Sequence, residues 1–315
     1  MVRLADRGTG TDQLVVQAAR NHRREMNATA AAVSSAVLTA WDDIDADRAE
    51  RGWIRQIARR VKALVEAGQL LAARRAVTYV QRTVRMRADP PRVEAIVVPD
   101  SLVGVASDGR QLESLLMQPA RTVERARQDG RRRREALDEG RVQLDMIVRT
   151  QVADASRVAS GLEVTSTPTM GYIRIASPTA CSRCIILSGR WYRWSEGFLR
   201  HPRCQCTHAP SARDDADNLV DSPMELFEGM TPEQQDRTFG RAGAQAIRDG
   251  SDIYRVVNAR LGLYTADVGG RQVLATRSAR KQVKRKIRIM PEEIYRVARD
   301  REDALRLLRV NGFIR

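Results

Sequence analysis

The chain has 315 residues, of which 43 % are hydrophobic and only 4 % aromatic, so one large or two ordinary domains would have cores built mainly from aliphatic side chains. Its 54 Lys and Arg residues outnumber its 39 Asp and Glu residues, and the formal net charge of +15 favours a polyanionic partner, above all nucleic acid. Neither a secretory signal nor a membrane span is predicted, because the most apolar window, Ala28 to Trp41, is short and contains Ser and Thr. We therefore expect a globular protein made in a cytoplasm-like compartment.

Two stripes of apolar residues predict long helices in the first half of the chain. The first stripe runs from Met26 to Ile44, and the second runs from Ile54 to Leu71 in a helix that continues to Arg87. Paired prolines at 90 and 91 end this second helix, since proline cannot continue it. We interpret both stripes as the core of a helical bundle. His22, which stands alone in the first helix, is expected to be a solvated surface residue.

The next segment is an extended link followed by two further helices. Residues 94–109 are predicted to be extended, and a helix near 111–129 contains Pro119, which predicts a kink or a late start. A fourth helix is predicted from Arg131 to Ser160, ending at Gly161. Four arginines at its N-terminus oppose the helix dipole, so they predict an external anion or fraying there.

From Thr165 onwards the hydrophobic period changes from that of a helix to that of a strand. Residues 172–176 alternate as in a strand, while 185–187 and 190–194 predict a hairpin around Ser188-Gly189. Stacking of Trp191, Tyr192 and Trp194 on single-stranded bases is one interpretation. The favoured one is that these rings form a miniature core, because so small a sheet has few other apolar side chains.

All four cysteines and two of the three histidines lie in this part of the chain. Cys181 and Cys184 form a C-x-x-C pair, and 19 residues separate Cys184 from Cys204, a spacing typical of structural zinc sites. We predict these three cysteines as ligands. Two disulfides or four buried thiols are the alternatives, and they are less favoured because nothing indicates an oxidising compartment.

The fourth ligand is either His201 or Cys206. His201 and Cys204 form an H-x-x-C pair that can chelate from one turn, whereas Cys204 and Cys206 would face the same side of an extended backbone. His208 is a weaker candidate. Four protein ligands leave no position for water, so the predicted zinc is structural and not catalytic.

The cysteine pattern also resembles a known family. C-x-x-C at 181–184 followed by H-P-x-C-x-C at 201–206 is similar to the signature of phage Mu protein F-like minor head proteins, and the order of helices, cysteines and basic tail is similar to actinobacteriophage members. Ser182 and Gln205 stand where that family often has proline and arginine, which leaves every ligand intact. The resemblance covers about 26 residues. It implies a protein that lies inside the procapsid, associates with the portal and helps head assembly or genome delivery.

The last third of the chain is predicted to be helical and basic. Ser222 and Thr231 each begin a capping box with proline at the next position, and the helix that follows Thr231 is predicted to end at Gly250. A helix over 251–261, a hairpin around Gly269-Gly270 and a final pair of helices over 291–299 and 301–310 complete the region. We interpret the final pair as a docking element in preference to a helix-turn-helix.

Three runs of basic residues favour DNA as the polyanion. Residues 74–87 contain five arginines and no acid, 121–134 contain seven arginines and two acids, and 271–288 contain eight basic residues and no acid. Any single run could simply solvate a helix, but three together favour a polyanion. The residues predicted to contact double-stranded DNA, without sequence preference, are Arg271, Arg277, Arg280, Lys281, Lys284, Arg285, Lys286 and Arg288.

The absence of phosphate-loop, dinucleotide, zincin and hydrolase motifs favours a protein that is not an enzyme. A zinc-bracketed nuclease would have to use His208 with Asp214, Asp215 or Asp217, which is a weak alternative. We predict a mainly α protein with an N-terminal helical region (1–164), a small zinc-stapled β module (165–212) and a basic, α-rich C-terminal region (213–315). The expected function is that of a minor capsid protein inside a phage head, associated with portal protein, major capsid protein and DNA. A zinc-containing DNA-binding regulator is the main alternative.

Overall fold

The computed structural model describes residues 10–87, 89–196, 204, 206–213, 219–268, 270–276 and 287–314. The predicted fold class is confirmed: the structure is 64 % helical, with two small three-stranded sheets. The α-helices are α1 (Gly10–Trp41), α2 (Ala49–Gly52), α3 (Ala58–Arg85), α4 (Leu112–Leu116), α5 (Gln118–Gln128), α6 (Arg133–Thr165), α7 (Ser182–Ile185), α8 (Pro223–Glu228), α9 (Pro232–Phe239), α10 (Arg241–Arg248), α11 (Ile253–Ala259), α12 (Pro291–Val297) and α13 (Arg301–Val310). The strands are β1 (Met170–Ile175), β2 (Trp191–Arg193), β3 (Thr207–Ala212), β4 (Leu263–Val268), β5 (Arg271–Thr276) and β6 (Arg288–Ile289).

The described chain forms two compact units. Of the described residues, the larger unit comprises 10–177 and those within 190–219, and the smaller comprises 178–189 and those within 220–314. This division differs from the three predicted segments: β1 and β3 pack on helices α1, α3 and α6 of the larger unit, and residues 178–189 belong to the smaller unit. Among the described residues, no helix combines the length and the apolar character that crossing a membrane requires.

Three long helices, α1, α3 and α6, form the centre of the larger unit. Their core is aliphatic, with Trp41 and Trp53 at one end and their ring centroids 6.0 Å apart. Two helical glycines permit close approach: an added Cβ would lie 2.8 Å from Val33 at Gly68 and 2.6 Å from Trp41 at Gly140. Because the core contains few large aromatic side chains, the helices fill it by packing close together.

The second apolar stripe is partly out of phase with the core. Ile57 and Val61 are buried as predicted, but Ile54 is 57 % exposed and Leu71 is exposed as well. A π-helical turn at Trp53–Ile57 precedes α3 and changes the phase of the stripe. Near the other end of the stripe, Gln69 and Ala72 are buried and Leu71 is not. The side-chain amide of Gln69 donates a hydrogen bond to Val105 O (2.9 Å) and accepts one from Gly104 N (3.0 Å), which fixes the link that follows α3.

Two predicted helix boundaries have different outcomes. The helix predicted near 111–129 is divided into α4 and α5, and Pro119, where a kink or a late start was predicted, occupies the first turn of α5. The predicted end of the fourth helix at Gly161 is wrong, because α6 continues to Thr165. Glycine ends a helix where a positive φ is required, and Gly161 does not have one.

The first sheet has the order β2-β1-β3 and is antiparallel throughout. All six residues of β1 are buried because it is the central strand, and Tyr172 lies opposite Tyr192 on one side and Pro210 on the other. The predicted hairpin that paired 185–187 with 190–194 is wrong. Residues 182–185 form α7, because a short apolar run fits a buried helical turn as well as a strand.

The smaller unit has its own core, in which Phe227 and Phe239 meet edge to face with ring centroids 5.2 Å apart. Both predicted capping boxes, at Ser222 and Thr231, are confirmed. The helix that begins after Thr231 does not run unbroken to position 250, because Gly240 adopts φ 76° and separates α9 from α10. The predicted hairpin is confirmed as β4 and β5, and β6 adds a third strand that the sequence pattern did not indicate.

Candidate metal centre

Two of the predicted ligands, Cys204 and Cys206, lie directly before strand β3. Both are buried, and β3 begins at the next residue, Thr207, which pairs with Ile175 of β1. Residues two apart on an extended chain present their side chains on the same side. The structure accordingly places both sulfur atoms in one cluster.

Two arginines hold the backbone and the sulfur of Cys204. Arg157 on α6 donates a hydrogen bond to the carbonyl oxygen of Cys204 and forms an ion pair with Asp154 at 2.8 Å. Arg174 on β1 is only 1 % exposed, and its Nη2 lies 3.8 Å from Sγ of Cys204. N–H donors that surround a metal ligand in this way orient it for binding.

Cys181 and Cys184 are positioned by the single turn of α7. Cys181 is the N-cap residue, and its carbonyl accepts the Ile185 N–H at 3.0 Å. The neighbouring isoleucines 185 and 186 are buried in the core of the smaller unit, so the turn is fixed by apolar packing. Cys184 is buried and Cys181 is half-buried.

Three buried cysteines, Cys184, Cys204 and Cys206, have sulfur atoms within 4.8 Å of one another, close enough to hold a metal ion. Zinc binds thiolates at about 2.3 Å, which places tetrahedral sulfur ligands roughly 3.8 Å apart, so this donor set fits zinc. The four cysteines, all of which the structure describes, form no disulfide. The alternative of two disulfides is therefore not observed.

The fourth ligand is not among the three clustered sulfurs. Cys181 lies outside this cluster, and His201 lies outside the described residues, so the role of each as a ligand stays a prediction. His208 lies on β3, where its ring is 4.4 Å from that of Tyr172 and its carbonyl accepts a hydrogen bond from Tyr79 at 2.8 Å. The described cluster does not include His208.

The aromatic residues near the cysteines divide by exposure. Tyr192 is buried and stacks on Tyr172 with ring centroids 5.4 Å apart, and Trp191 donates its indole N–H to Ser211 O at 3.1 Å. These contacts agree with the predicted miniature core. Trp194 is exposed and takes no part in it.

His22 is buried, and the expectation of a solvated residue is wrong. Its ring stacks on Tyr79 at 4.3 Å, and Nε2 lies 3.0 Å from Ser156 Oγ. Burial, assisted by the positive charge of Arg75, lowers the pKa of His22 to about 4. The residue faces α6 because the first apolar stripe begins well before Met26, at Val15 and Val16. That earlier start was the signal that sequence reasoning missed.

The basic run at 121–134 is engaged within the larger unit. Arginines on α5 and α6 form ion pairs with the acidic segment 42–50: Arg121 with Glu50 (3.3 Å), Arg127 with Asp47 (2.9 Å), Arg133 with Asp45 (3.9 Å) and Arg141 with Asp42. Of the four arginines at 131–134, Arg133 thus pairs with Asp45, and Arg131 pairs with Glu139 at 3.8 Å, so two of these charges have partners within the chain. The acidic segment is close in space and distant in sequence, so the charge run alone did not reveal it.

The predicted DNA-contacting residues are only partly described. Arg271 is exposed on β5, whereas the Arg288 guanidinium lies 3.8 Å above the ring of Phe313 and donates to Gly312 O at 3.0 Å. Arg288 therefore has a packing role in the smaller unit. The other six residues, Arg277, Arg280, Lys281, Lys284, Arg285 and Lys286, lie outside the described residues.

Comparison with known proteins does not assign the chain to a family. No protein-family model, no curated protein and no solved structure matches it.

Proposed function

We propose that this chain is a structural minor capsid protein of a tailed phage, similar to the Mu protein F-like head proteins. It acts inside the head as a non-enzymatic component that associates with portal and major capsid proteins and with packaged DNA. One observation supports this most: three cysteines of the C-x-x-C and H-P-x-C-x-C pattern are buried together within 4.8 Å. The shared pattern thus corresponds to a spatial cluster and not only to a spacing in sequence.

In this proposal zinc is bound by Cys184, Cys204 and Cys206 with a fourth ligand from Cys181 or His201. When bound, it supplies a cross-link that replaces disulfides in a reducing compartment. A shell of four protein ligands has no place for a reacting water molecule, so the metal stabilises the fold and does not hydrolyse substrate. Arg174 and Arg157 orient the Cys204 side chain and backbone for this purpose.

The proposed DNA contact rests on charge. The net charge is +15, and in the run at 121–134 Arg121, Arg127 and Arg133 form ion pairs with nearby acids. The run at 271–288 contains no acid of its own, so it is the stronger candidate for contact with the DNA backbone. Binding through phosphate contacts depends on the charge of the DNA backbone and not on the base sequence.

The function is tested by co-expression with the portal and major capsid proteins of a tailed phage. We expect the protein to co-sediment with assembled heads and to be detected by mass spectrometry in purified virions. A matched control is the same expression without portal protein, which should leave the chain unincorporated. Its absence from heads in both cases would contradict the proposal. Tight binding to one DNA sequence, with no head association, would instead indicate a regulator.

A further inference from the structure

A cleft of about 570 Å³ lies in the larger unit between the ends of α3 and α6 and the link that follows α3. This volume is in the range of small-molecule binding sites, which are lined mainly by apolar side chains and by a few polar groups that orient the ligand. Its lining includes Gln81, Arg85, Val93, Glu94, Ile96 and Glu163. The cleft is independent of the cysteine cluster and of the proposed function.

Glu163 of α6 is the buried polar group of this cleft. The residue is only 1 % exposed, and its Oε1 accepts a hydrogen bond from Gln81 at 2.8 Å. Its Oε2 is buried without a hydrogen-bond partner. An unpartnered carboxylate oxygen is costly to bury, and the same burial raises the pKa of Glu163. Oε2 of Glu163 therefore lacks a hydrogen-bond donor.

The link that follows α3 contributes exposed apolar side chains to the lining of this cleft. Ile96 is 91 % exposed and Val93 is also exposed, although large apolar side chains are usually covered. The link that carries them is held in place, because the backbone N–H of Glu94 donates to Ser166 O at 2.8 Å. The apolar part of a ligand could therefore pack against side chains whose backbone is held in place.

The charge of the lining favours a cation. Glu163 and Glu94 contribute two carboxylates and Arg85 one guanidinium, a local excess of one negative charge in a chain with a net charge of +15. An anion would leave Oε2 of Glu163 without a donor. An ammonium or guanidinium group would supply one, and hydrogen bonds between charged partners are the stronger kind.

We propose that this cleft binds an organic cation on a short apolar stem, with its N–H donors directed to Glu163 and its stem packed on Val93 and Ile96. The same chemistry is offered by a free alkylamine and by a lysine or arginine side chain of a partner protein.

The full-length protein is titrated with n-butylammonium and with N-acetyl-lysine methylamide while backbone amide shifts are recorded by NMR. Saturable shifts are expected at residues 84–96. Butan-1-ol, a neutral compound of similar shape, should bind at least tenfold more weakly, and Glu163→Gln should weaken butylammonium binding by about tenfold or more. A stronger response to the capped lysine would identify a protein side chain as the natural ligand, and an equal response would identify a free amine.

If Glu163→Gln does not fold, the proposal can still be tested with substitutions at two exposed residues, Ile96 and Val98. Ile96→Ser removes a cleft side chain, and Val98→Ser removes a residue of the same link that is 58 % exposed but does not line the cleft. We expect Ile96→Ser to weaken butylammonium binding about threefold, because an apolar contact is lost, and Val98→Ser to leave it unchanged. Absence of saturable binding, equal binding of butanol, or equal effects of the two serine variants would overturn the proposal.

Discussion

At the scale of single residues, two glycines of the same helix test how closely α6 is packed. A Cβ at Gly140 would lie 2.6 Å from both Trp41 and Val123, whereas a Cβ at Gly161 would meet nothing within 4 Å. Gly140→Ala should therefore destabilise the protein by about 1–3 kcal/mol through overpacking. Gly161→Ala should stabilise it by about 0.5–1 kcal/mol, because alanine favours the helix. Urea unfolding measures both free energies, and equal effects of the two substitutions would contradict close packing at Gly140.

His22 predicts a pH dependence of stability with a definite sign. Its pKa in the folded protein is about 4, below the usual 6.5, so between these values the unfolded chain binds a proton that the folded chain does not. Stability should therefore fall as the pH is lowered from about 6.5 to 4, by about 3 kcal/mol for this group. His22→Gln should lose that part of the pH dependence. Parallel stability curves for the two proteins between pH 4 and 6.5 would show that burial does not hold His22 neutral.

At the scale of elements, the short segments that carry Cys184, Cys204 and Cys206 are predicted to depend on one zinc ion. Elemental analysis should find one zinc per chain, and Cys184→Ser, Cys204→Ser or Cys206→Ser should each release it and increase proteolysis around β3, because metal binding and folding are coupled. Cys181→Ser and His201→Asn form the comparison that identifies the fourth ligand: only one of them should lose the metal. Native protein without zinc, or full retention of zinc in Cys204→Ser, would contradict the metal centre.

The ion pairs between the segment 42–50 and the arginines of α5 and α6 form a second test at this scale. Arg127 donates from both Nε and Nη2 to Asp47, at 3.0 and 2.9 Å. A double-mutant cycle with Asp47→Ala and Arg127→Ala should give a coupling of about 0.5 kcal/mol, since exposed pairs contribute little, and the coupling should shrink in high salt. A coupling that does not respond to salt would mean that packing, and not charge, joins these elements.

At the scale of the whole molecule, the two large basic runs should differ in DNA binding. If about five side chains of 271–288 displace counterions, log affinity should fall with log salt at a slope of roughly −4 to −5, whatever the DNA sequence. Replacing Lys281, Lys284, Arg285 and Lys286 by glutamine should flatten the slope and leave the zinc content unchanged.

A control with the same change of charge is available in the larger unit. Glutamine at Arg121, Arg127, Arg133 and Arg141 also removes four positive charges, but these arginines are paired with acids. Their replacement should change the slope much less. Equal slopes for the two quadruple variants would mean that DNA responds to the net charge and not to the run at 271–288.

The sequence by itself determined the mainly α class, the capping boxes at Ser222 and Thr231, and the hairpin of β4 and β5. These features depend on neighbours within a few positions, so local hydrogen bonding and hydrophobic period are enough to predict them. It also indicated the cysteines, because chelating pairs are local. The choice among ligands was not local, and the structure brought Cys206 into the cluster while leaving Cys181 outside it.

Only the tertiary structure decided the features that join distant parts of the chain. The burial of His22 against Tyr79 and Ser156, the ion pairs between 121–134 and 42–50, and the cleft at Glu163 all depend on partners that are distant in sequence. The continuation of α6 through Gly161 likewise follows from packing, because the helix buries residues on both sides of the glycine. Sequence periodicity shows which residues are apolar on one face. It does not show which surface that face meets, and that contact sets burial, charge pairing and pKa.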